Sequence, residues 1–352
     1  MNPVLTPATL AEFADAIRSA PRTLAVGART KPRLSAVAPD VTLISTLRLT
    51  GITEYQPDEF TFTALAGTPL REIAAALAAR GQYLPFDPLL LEAGATLGGT
   101  VAAGLSGSGR FRFGGLRDFI LGVLFVDGSG QLLRLGGKVV KNAAGFDLPK
   151  FFVGSLGRYG ALGELTFKVF PRPAATLTLR LPVADAPAAT ALLTTVAGAR
   201  WEIDALDLLP SDDTAVALRL AGPSAALPGL AAEILARFPG EILSDSDSAA
   251  LWLDLRELRW THPDGPLLKL ALTPAQLPAL AARVRALNGR LHVAAGGNAA
   301  LVSLPAPAPS LGLPALALRG PGPLWLDAPA APAIAAAVKT ALDPQNRFPS
   351  AT

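Results

Sequence analysis

The chain has 352 residues, half of them hydrophobic and 17% charged, with a formal net charge of +3. That length exceeds one ordinary core and predicts two domains, while the apolar fraction excludes a disordered chain. The absence of cysteine excludes disulfides, thiolate zinc sites, Cys-ligated iron–sulfur clusters and a cysteinyl-linked cofactor.

The opening MNPVLTPATLAEF has neither a basic n-region nor an apolar h-region, so no signal peptide is expected. Thr6-Pro7, followed by Leu10, Phe13, Ala14 and Ile17, reads as a capped amphipathic helix. Leu24–Val26 is a short strand running into the loop Gly27-Ala28-Arg29-Thr30-Lys31. Val41–Ile44 and Phe60–Ala66 read as strands, and Thr68-Pro69 starts a helix over Leu70, Ile73 and Leu77, stopped by Gly81. Phe119–Val126 and Gln131–Leu135 flank Asp127-Gly128-Ser129-Gly130, a hairpin signal. Leu162–Phe170 is a further strand, and Pro171-Arg172-Pro173 is the expected domain boundary.

Beyond it, Ala188–Ala197, Leu227–Phe238 and Pro274–Leu287 read as Ala-rich helices. Strands are expected near Ala215–Leu220, Leu267–Leu272, Leu291–Ala294 and Ala299–Leu304, giving an α+β domain. Pro305–Pro314 reads as a loop and Ala331–Leu342 as a last helix, before a DPQNRFPS tail that packs back on the body. The apolar stretch Leu311–Val338 is broken by prolines, Arg319 and Asp327, so no membrane span is expected and a cytoplasmic protein is.

Residues 94–115 carry eight glycines in 22 positions, which points to a backbone approached very closely, as by a flat anionic ligand. Neither a helix nor a strand core gains from so many glycines. Charge follows the same division: residues 1–173 hold 18 Lys and Arg against 13 Asp and Glu, and the remainder 13 against 15. A basic, glycine-rich first half suits anion binding, though scattered surface charge produces the same count. No basic run or aromatic–basic stripe indicates nucleic acid.

Neither G-x-G-x-x-G nor G-x-x-x-x-G-K-[ST] occurs, which excludes the Rossmann fingerprint and the P-loop. Three other segments are candidates. In Gly27–Lys31, loop N–H groups can form an anion nest beside the Thr30 hydroxyl and the Arg29 and Lys31 cations; an ordinary βα turn reads the same. In Gly94–Gly115, Thr96, Ser106 and Ser108 supply hydroxyls among the glycines. In Lys141–Glu164, Gly154, Gly157, Gly160 and Gly163 recur every third residue, which suits a ligand or tight helix–sheet packing equally.

The order of these segments, ATLGGTVAAGLSG with FGGLRDFILG and then KNAAGFDLPKFFVGSLGRYGALGELTFKV, resembles the FAD-binding domain of the vanillyl-alcohol-oxidase/PCMH family. More narrowly, the GTPL helix start, VKNAAGFDL and LDPQNRF are similar to the smaller FAD-binding subunit of bacterial glycolate oxidase. The resemblance implies an α+β fold: a PCMH-type FAD-binding domain of two α/β subdomains over residues 1–173, an α+β cap over 174–330, and a C-terminal helix and tail over 331–352.

It also implies roles. Gly27, Ala28, Arg29, Thr30 and Lys31 would hold the FAD pyrophosphate, and Thr96, Gly98, Gly99, Ser106 and Gly107 would line pyrophosphate and isoalloxazine. Pro85 and Asp87 would sit near the flavin, Gly160, Gly163 and Glu164 against the adenosine end, and Lys141 and Asn142 would act as donors nearby. With cysteine absent and both histidines, His262 and His292, in the second half, FAD would be bound non-covalently.

The resemblance further implies a complex that oxidises a small 2-hydroxy acid, glycolate, to glyoxylate. A larger FAD-containing subunit would take the hydride and an iron–sulfur subunit would pass electrons on. The segment AAGGNAALVSL departs from the family's cap stretch, placing Asn298 where a histidine commonly follows the two glycines. Asparagine is no base near neutral pH, so the catalytic residues stay unassigned. His262 reads as a solvated turn residue and His292 as a satisfied core or surface histidine, and no metal site is expected. Arg29, Arg110, Arg112 and Arg117 are the candidate partners of a substrate carboxylate or flavin phosphate. A stand-alone FAD-dependent 2-hydroxy acid or alcohol dehydrogenase and a flavin-empty assembly subunit are the alternatives.

Overall fold

A computed structural model describes residues 2–137, 148–210, 214–307, 310–328 and 333–350. The chain forms two compact units. The first comprises Met1–Leu105, Gly115–Pro171 and Ala330–Thr352, and the second comprises Ser106–Gly114 and Arg172–Pro329.

The first unit holds a parallel sheet in which Thr42–Ser45 lies between Val4–Leu5 and Thr23–Val26. It also holds an antiparallel sheet in the order Ile52–Gln56, Thr61–Leu65, Ala161–Lys168, Ile120–Val126, Leu132–Gly136. The first helix, Leu10–Ser19, buries Phe13, Ala14 and Ile17 as its periodicity predicts, but its cap lies at Thr9 rather than Thr6. Thr9 accepts from the Glu12 N–H while the Glu12 carboxylate accepts from the Ala8 N–H, so two end donors are satisfied by one reciprocal pair.

The tail is less superficial than its polar composition suggests. Phe348 is buried in one core with Phe13, Ile17 and Ile44. Asp343, 2% exposed, accepts from Lys339 Nζ at 2.6 Å and from the N–H groups of Arg347 and Phe348 at 2.8 and 2.9 Å. One buried carboxylate thus ties the helix Ala333–Leu342 to the turn that follows it.

The second unit is built on a nine-stranded sheet, among the described residues, whose pairings are all antiparallel. Its centre runs Ala215–Gly222, Ile203–Leu208, Arg290–Ala294, Ala299–Ser303, Leu267–Ala271. Leu206, Leu208, Val216, Leu218, Leu220, Val293 and Val302 project from one face into the main core with the helices Ala186–Ala197, Leu227–Arg237 and Leu277–Ala286. Each fully buried Leu or Val there contributes about 1.5–3 kcal/mol. A second cluster on Ala215 and Ala217 is covered by Leu251, Trp252 and Leu255 of the helix Asp245–Arg256. That helix was not legible in the sequence, since SDSDSAALWLDLR has scattered charge and weak apolar periodicity. No helix among the described residues is long and apolar enough to cross a membrane.

The Asp343 hub yields a stability prediction. Asp343→Ala leaves the half-buried Lys339 ammonium without its counter-charge and two N–H groups without their acceptor, which costs about 3–5 kcal/mol. The urea midpoint should fall accordingly, and by less for Lys339→Met, which leaves the two backbone bonds in place.

Candidate functional site

Two adjoining cavities of about 490 and 330 Å³ lie in the first unit and share Ala25, Val26, Gly27, Gly99 and Ala102. Gly27, Ala28, Arg29, Thr30, Lys31, Thr96 and Gly99 line the larger, and Gly27, Gly98, Gly99 and Gly160 line the smaller.

Gly27–Lys31 leaves the end of the strand Thr23–Val26, whose last carbonyl accepts from the Thr46 N–H. Beyond that point no N–H of Ala28 through Lys31 is taken up by a backbone carbonyl among the described residues. Arg29 holds a left-handed φ of 55°, a conformation that costs a non-glycine residue free energy and clusters at ligand-binding turns. Lys31 is 8% exposed, and its Nζ donates to Thr30 Oγ1 at 2.9 Å with no carboxylate partner among the described residues. Burial lowers its pKa to about 8, because the charged form has lost water and gained no anion. Successive open N–H groups beside an uncompensated buried ammonium are the donor set a diphosphate requires.

The helix Leu97–Ala103 forms although it carries Gly98 and Gly99, residues from which a helix core gains nothing. Its N–H groups are already engaged: Leu97 donates to Thr68 O, Gly98 to Ala66 O, and Gly99 to the capping Thr96 Oγ1. These glycines therefore serve close packing of the protein on itself. A Cβ at Gly98 would lie 2.7 Å from Ala66 Cβ, and one at Gly27 only 2.2 Å from Thr96 Oγ1. Thr96 and Ala66 can pack this closely because the residues facing them, Gly27 and Gly98, carry no side chain. The opposite wall includes Ala102, Ala103 and Leu156, which sequence reasoning did not single out and which carry no chemical signal of their own.

The remaining predicted residues are placed elsewhere. Pro85 is buried and Asp87 has a left-handed φ of 45°, but neither lines either cavity. Gly163 faces Leu10 and Leu124 from the strand Ala161–Lys168. Glu164 on the same strand accepts from Arg134 Nη2 at 2.7 Å and from Thr53 Oγ1 at 3.2 Å. Ser106 and Gly107 belong to the second unit, and Lys141 and Asn142 lie outside the described residues. One buried cation was missed: Arg158, 3% exposed, has Nε and Nη1 without partners, and burial lowers its pKa to about 10.

In the second unit, Asn298 Nδ2 donates to Ala295 O at 2.9 Å and closes the turn between two strands. His262 is half-buried in its turn rather than solvated, with its N–H donating to Ser303 Oγ. His292 is a buried histidine whose Nε2 meets Asp207 Oδ2 at 2.9 Å. Arg112 is engaged by Glu202 and by Ala221 O, while Arg117 is exposed.

Residues 2–136 match the family described as FAD binding domain. Glycolate oxidase subunit GlcE of Escherichia coli (strain K12) is 38% identical over 233 residues, 65% of this chain and 62% of that protein. Glycolate oxidase subunit GlcD of Bacillus subtilis is 32% identical over 128 residues, 36% of this chain and 27% of that one. The chain thus spans about three-fifths of the length of the first relative and much less of the second. A solved alkyldihydroxyacetonephosphate synthase superposes with a TM-score of 0.68 at 15% identity, covering 98% of this chain and 75% of its own, a likeness of fold. Small-residue walls, loop N–H groups without backbone acceptors among the described residues and a buried lysine without a carboxylate fit a dinucleotide, and residues 2–136 are similar to the FAD binding domain family.

Proposed function

We propose that this chain is the FAD-bearing smaller subunit of a complex that oxidises glycolate to glyoxylate, with a larger FAD subunit and an iron–sulfur subunit as partners. The observation that carries the cofactor part is Lys31, buried beside open N–H groups with no carboxylate to balance it. Similarity to GlcE over 233 residues supports the rest. Bound FAD supplies a two-electron acceptor at the isoalloxazine ring.

The chain's own residues bind and shape. Gly27–Lys31 take the diphosphate through backbone donors and the Lys31 ammonium. Thr96, Gly98 and Gly99 form a thin wall that lets the ligand lie close to the main chain. Ser106 and Gly107 are assigned to the ring end, Gly160, Gly163 and Glu164 to the adenosine end, with Pro85, Asp87, Lys141 and Asn142 near the flavin. Asn298, spent on its own turn, supports a subunit whose substrate oxidation is carried by its partner. Association with a membrane would then run through the partners.

The visible spectrum of the purified chain tests this reading, followed by anaerobic addition of glycolate and then D-lactate. We expect bound flavin that stays oxidised until the partner subunits are added. Flavin that bleaches in the isolated chain makes it a dehydrogenase in its own right, and failure to take up FAD leaves only an assembly role.

Lys31 adds a pH signature. Its pKa is about 8 in the FAD-free protein, and a diphosphate raises it by favouring the ammonium. Binding then takes up a proton above about pH 8, so FAD affinity should be level below that value and fall as pH rises through it. Lys31→Met should weaken FAD by about 10- to 100-fold, the worth of a charged hydrogen bond, and flatten the profile measured by fluorescence titration.

A further inference from the structure

Within the first unit, Leu156 holds a left-handed φ of 55° and Gly157 one of 70°, so the chain turns sharply just before Arg158. Leucine adopts that conformation at a cost in free energy, and keeps it where packing and hydrogen bonds enforce it. Here the Gly154 and Leu156 N–H groups donate to Val101 O and Ala102 O of the helix Leu97–Ala103, each at 2.9 Å. The Arg158 N–H donates to Ser155 O at 3.0 Å, and its carbonyl accepts from Lys339 Nζ at 2.8 Å. The turn is thus fastened to a helix that lines the larger cavity, and it leaves Arg158 only 3% exposed.

What the turn buries is a set of donors. Among the described residues, Arg158 Nη2 makes one long bond, to Leu34 O at 3.4 Å, while Nε and Nη1 have no partner. A guanidinium only donates, so those N–H groups require an acceptor. The other buried unpartnered side-chain atoms of this unit, among the described residues, can also donate: Arg33 Nε, Thr100 Oγ1 and Ser155 Oγ. They belong to segments that meet at the turn, with Thr100 on the helix, Ser155 in the turn itself and Arg33 beside Leu34. Burial lowers the Arg158 pKa to about 10, which leaves the group charged at neutral pH.

Leu34 and Leu156 line the larger cavity, and Gly157 lines the smaller. The Leu34 N–H donates to Lys31 O at 3.1 Å while Leu34 O accepts from Arg158, so one residue ties the guanidinium to the loop that carries the buried ammonium. Two buried cations therefore stand at the short turn Pro32–Ser35. A buried charge without a counter-ion costs stability until an anion is supplied.

We propose that Arg158 is a second cation of the diphosphate site, which balances, together with Lys31, the negative charge that the ligand brings. The identity of that ligand rests on the FAD reading above; the need for an anion rests on the geometry of the first unit alone. Because the guanidinium stays charged where Lys31 loses its proton, it keeps the anion partnered above pH 8.

The full chain tests this with FAD and with inorganic pyrophosphate as a flavin-free probe. Arg158→Met keeps much of the side-chain volume and removes the charge, so it should leave the urea midpoint of the ligand-free chain unchanged or raised. It should weaken FAD about tenfold or more in the fluorescence titration. Pyrophosphate should raise the urea midpoint of the wild type and raise that of Arg158→Met less. Arg158→Lys, which keeps the charge, should lose less affinity than Arg158→Met. Arg22→Met, which removes an exposed cation already paired with Asp40, should change none of these.

Unchanged FAD affinity or an unchanged pyrophosphate effect in Arg158→Met overturns the proposal, as does equal loss of affinity in Arg158→Met and Arg158→Lys. A lowered midpoint or failure to fold in ligand-free Arg158→Met also overturns it, since the guanidinium then serves the fold. A wild-type chain that takes up no FAD, yet is stabilised by pyrophosphate through Arg158, overturns the FAD reading and leaves the anion site standing.

Discussion

The wall between Gly27 and Thr96 has almost no thickness, and most of the first unit's architecture depends on that approach. A Cβ at Gly27 would fall 2.2 Å from Thr96 Oγ1, the oxygen that caps the helix Leu97–Ala103. Any larger residue at 27 would push the loop from the helix or turn the cap away from its N–H. The loop holds the open donors, and the helix carries the small residues that line the cavity from the other side. The absence of a side chain at Gly27 lets the loop lie directly on the Thr96 cap, so that both line one cavity.

Electrostatics complete the slot. A lysine with water removed and no carboxylate supplied is a destabilising element in the folded chain, and its lowered pKa measures that cost. Placing an anion beside it restores what burial removed. Two other cations of this unit are compensated, Lys339 by Asp343 and two carbonyls and Arg134 by Glu164, whereas Arg158 is buried with Nε and Nη1 unpartnered among the described residues. The contrast makes Lys31 informative, because the unit can balance a buried charge where balance serves folding.

The second unit shows the same economy on a sheet whose faces differ. One face carries leucine and valine into a core closed by three helices. The opposite face places Asp207 and His292 side by side, where a buried carboxylate has water excluded and few donors available. A glycine-rich segment supplies one of those donors through Ser108.

Much of this was legible in the chain itself. Apolar periodicity located Leu10–Ser19 and Leu70–Ala78, alternation located Thr61–Leu65, and the Asp-Gly-Ser-Gly turn located the hairpin that pairs Val126 with Leu132. The order of the glycine-rich segments identified an FAD-binding domain, because backbone approach leaves a mark in composition that folding does not erase. What the glycines at 27 and 98 approach was not legible: their neighbours are Thr96 and Ala66, partners distant in sequence that only the folded chain brings within contact. The helix Asp245–Arg256 and the Asp207–His292 pair were missed for a related reason. Local periodicity reports which face of an element is apolar, whereas burial of a polar group is decided by what packs on it. Sequence alone determined the kinds of element and the class of ligand; tertiary structure decided which lysine is left without a counter-charge and which carboxylate is shared, since both depend on neighbours from other segments.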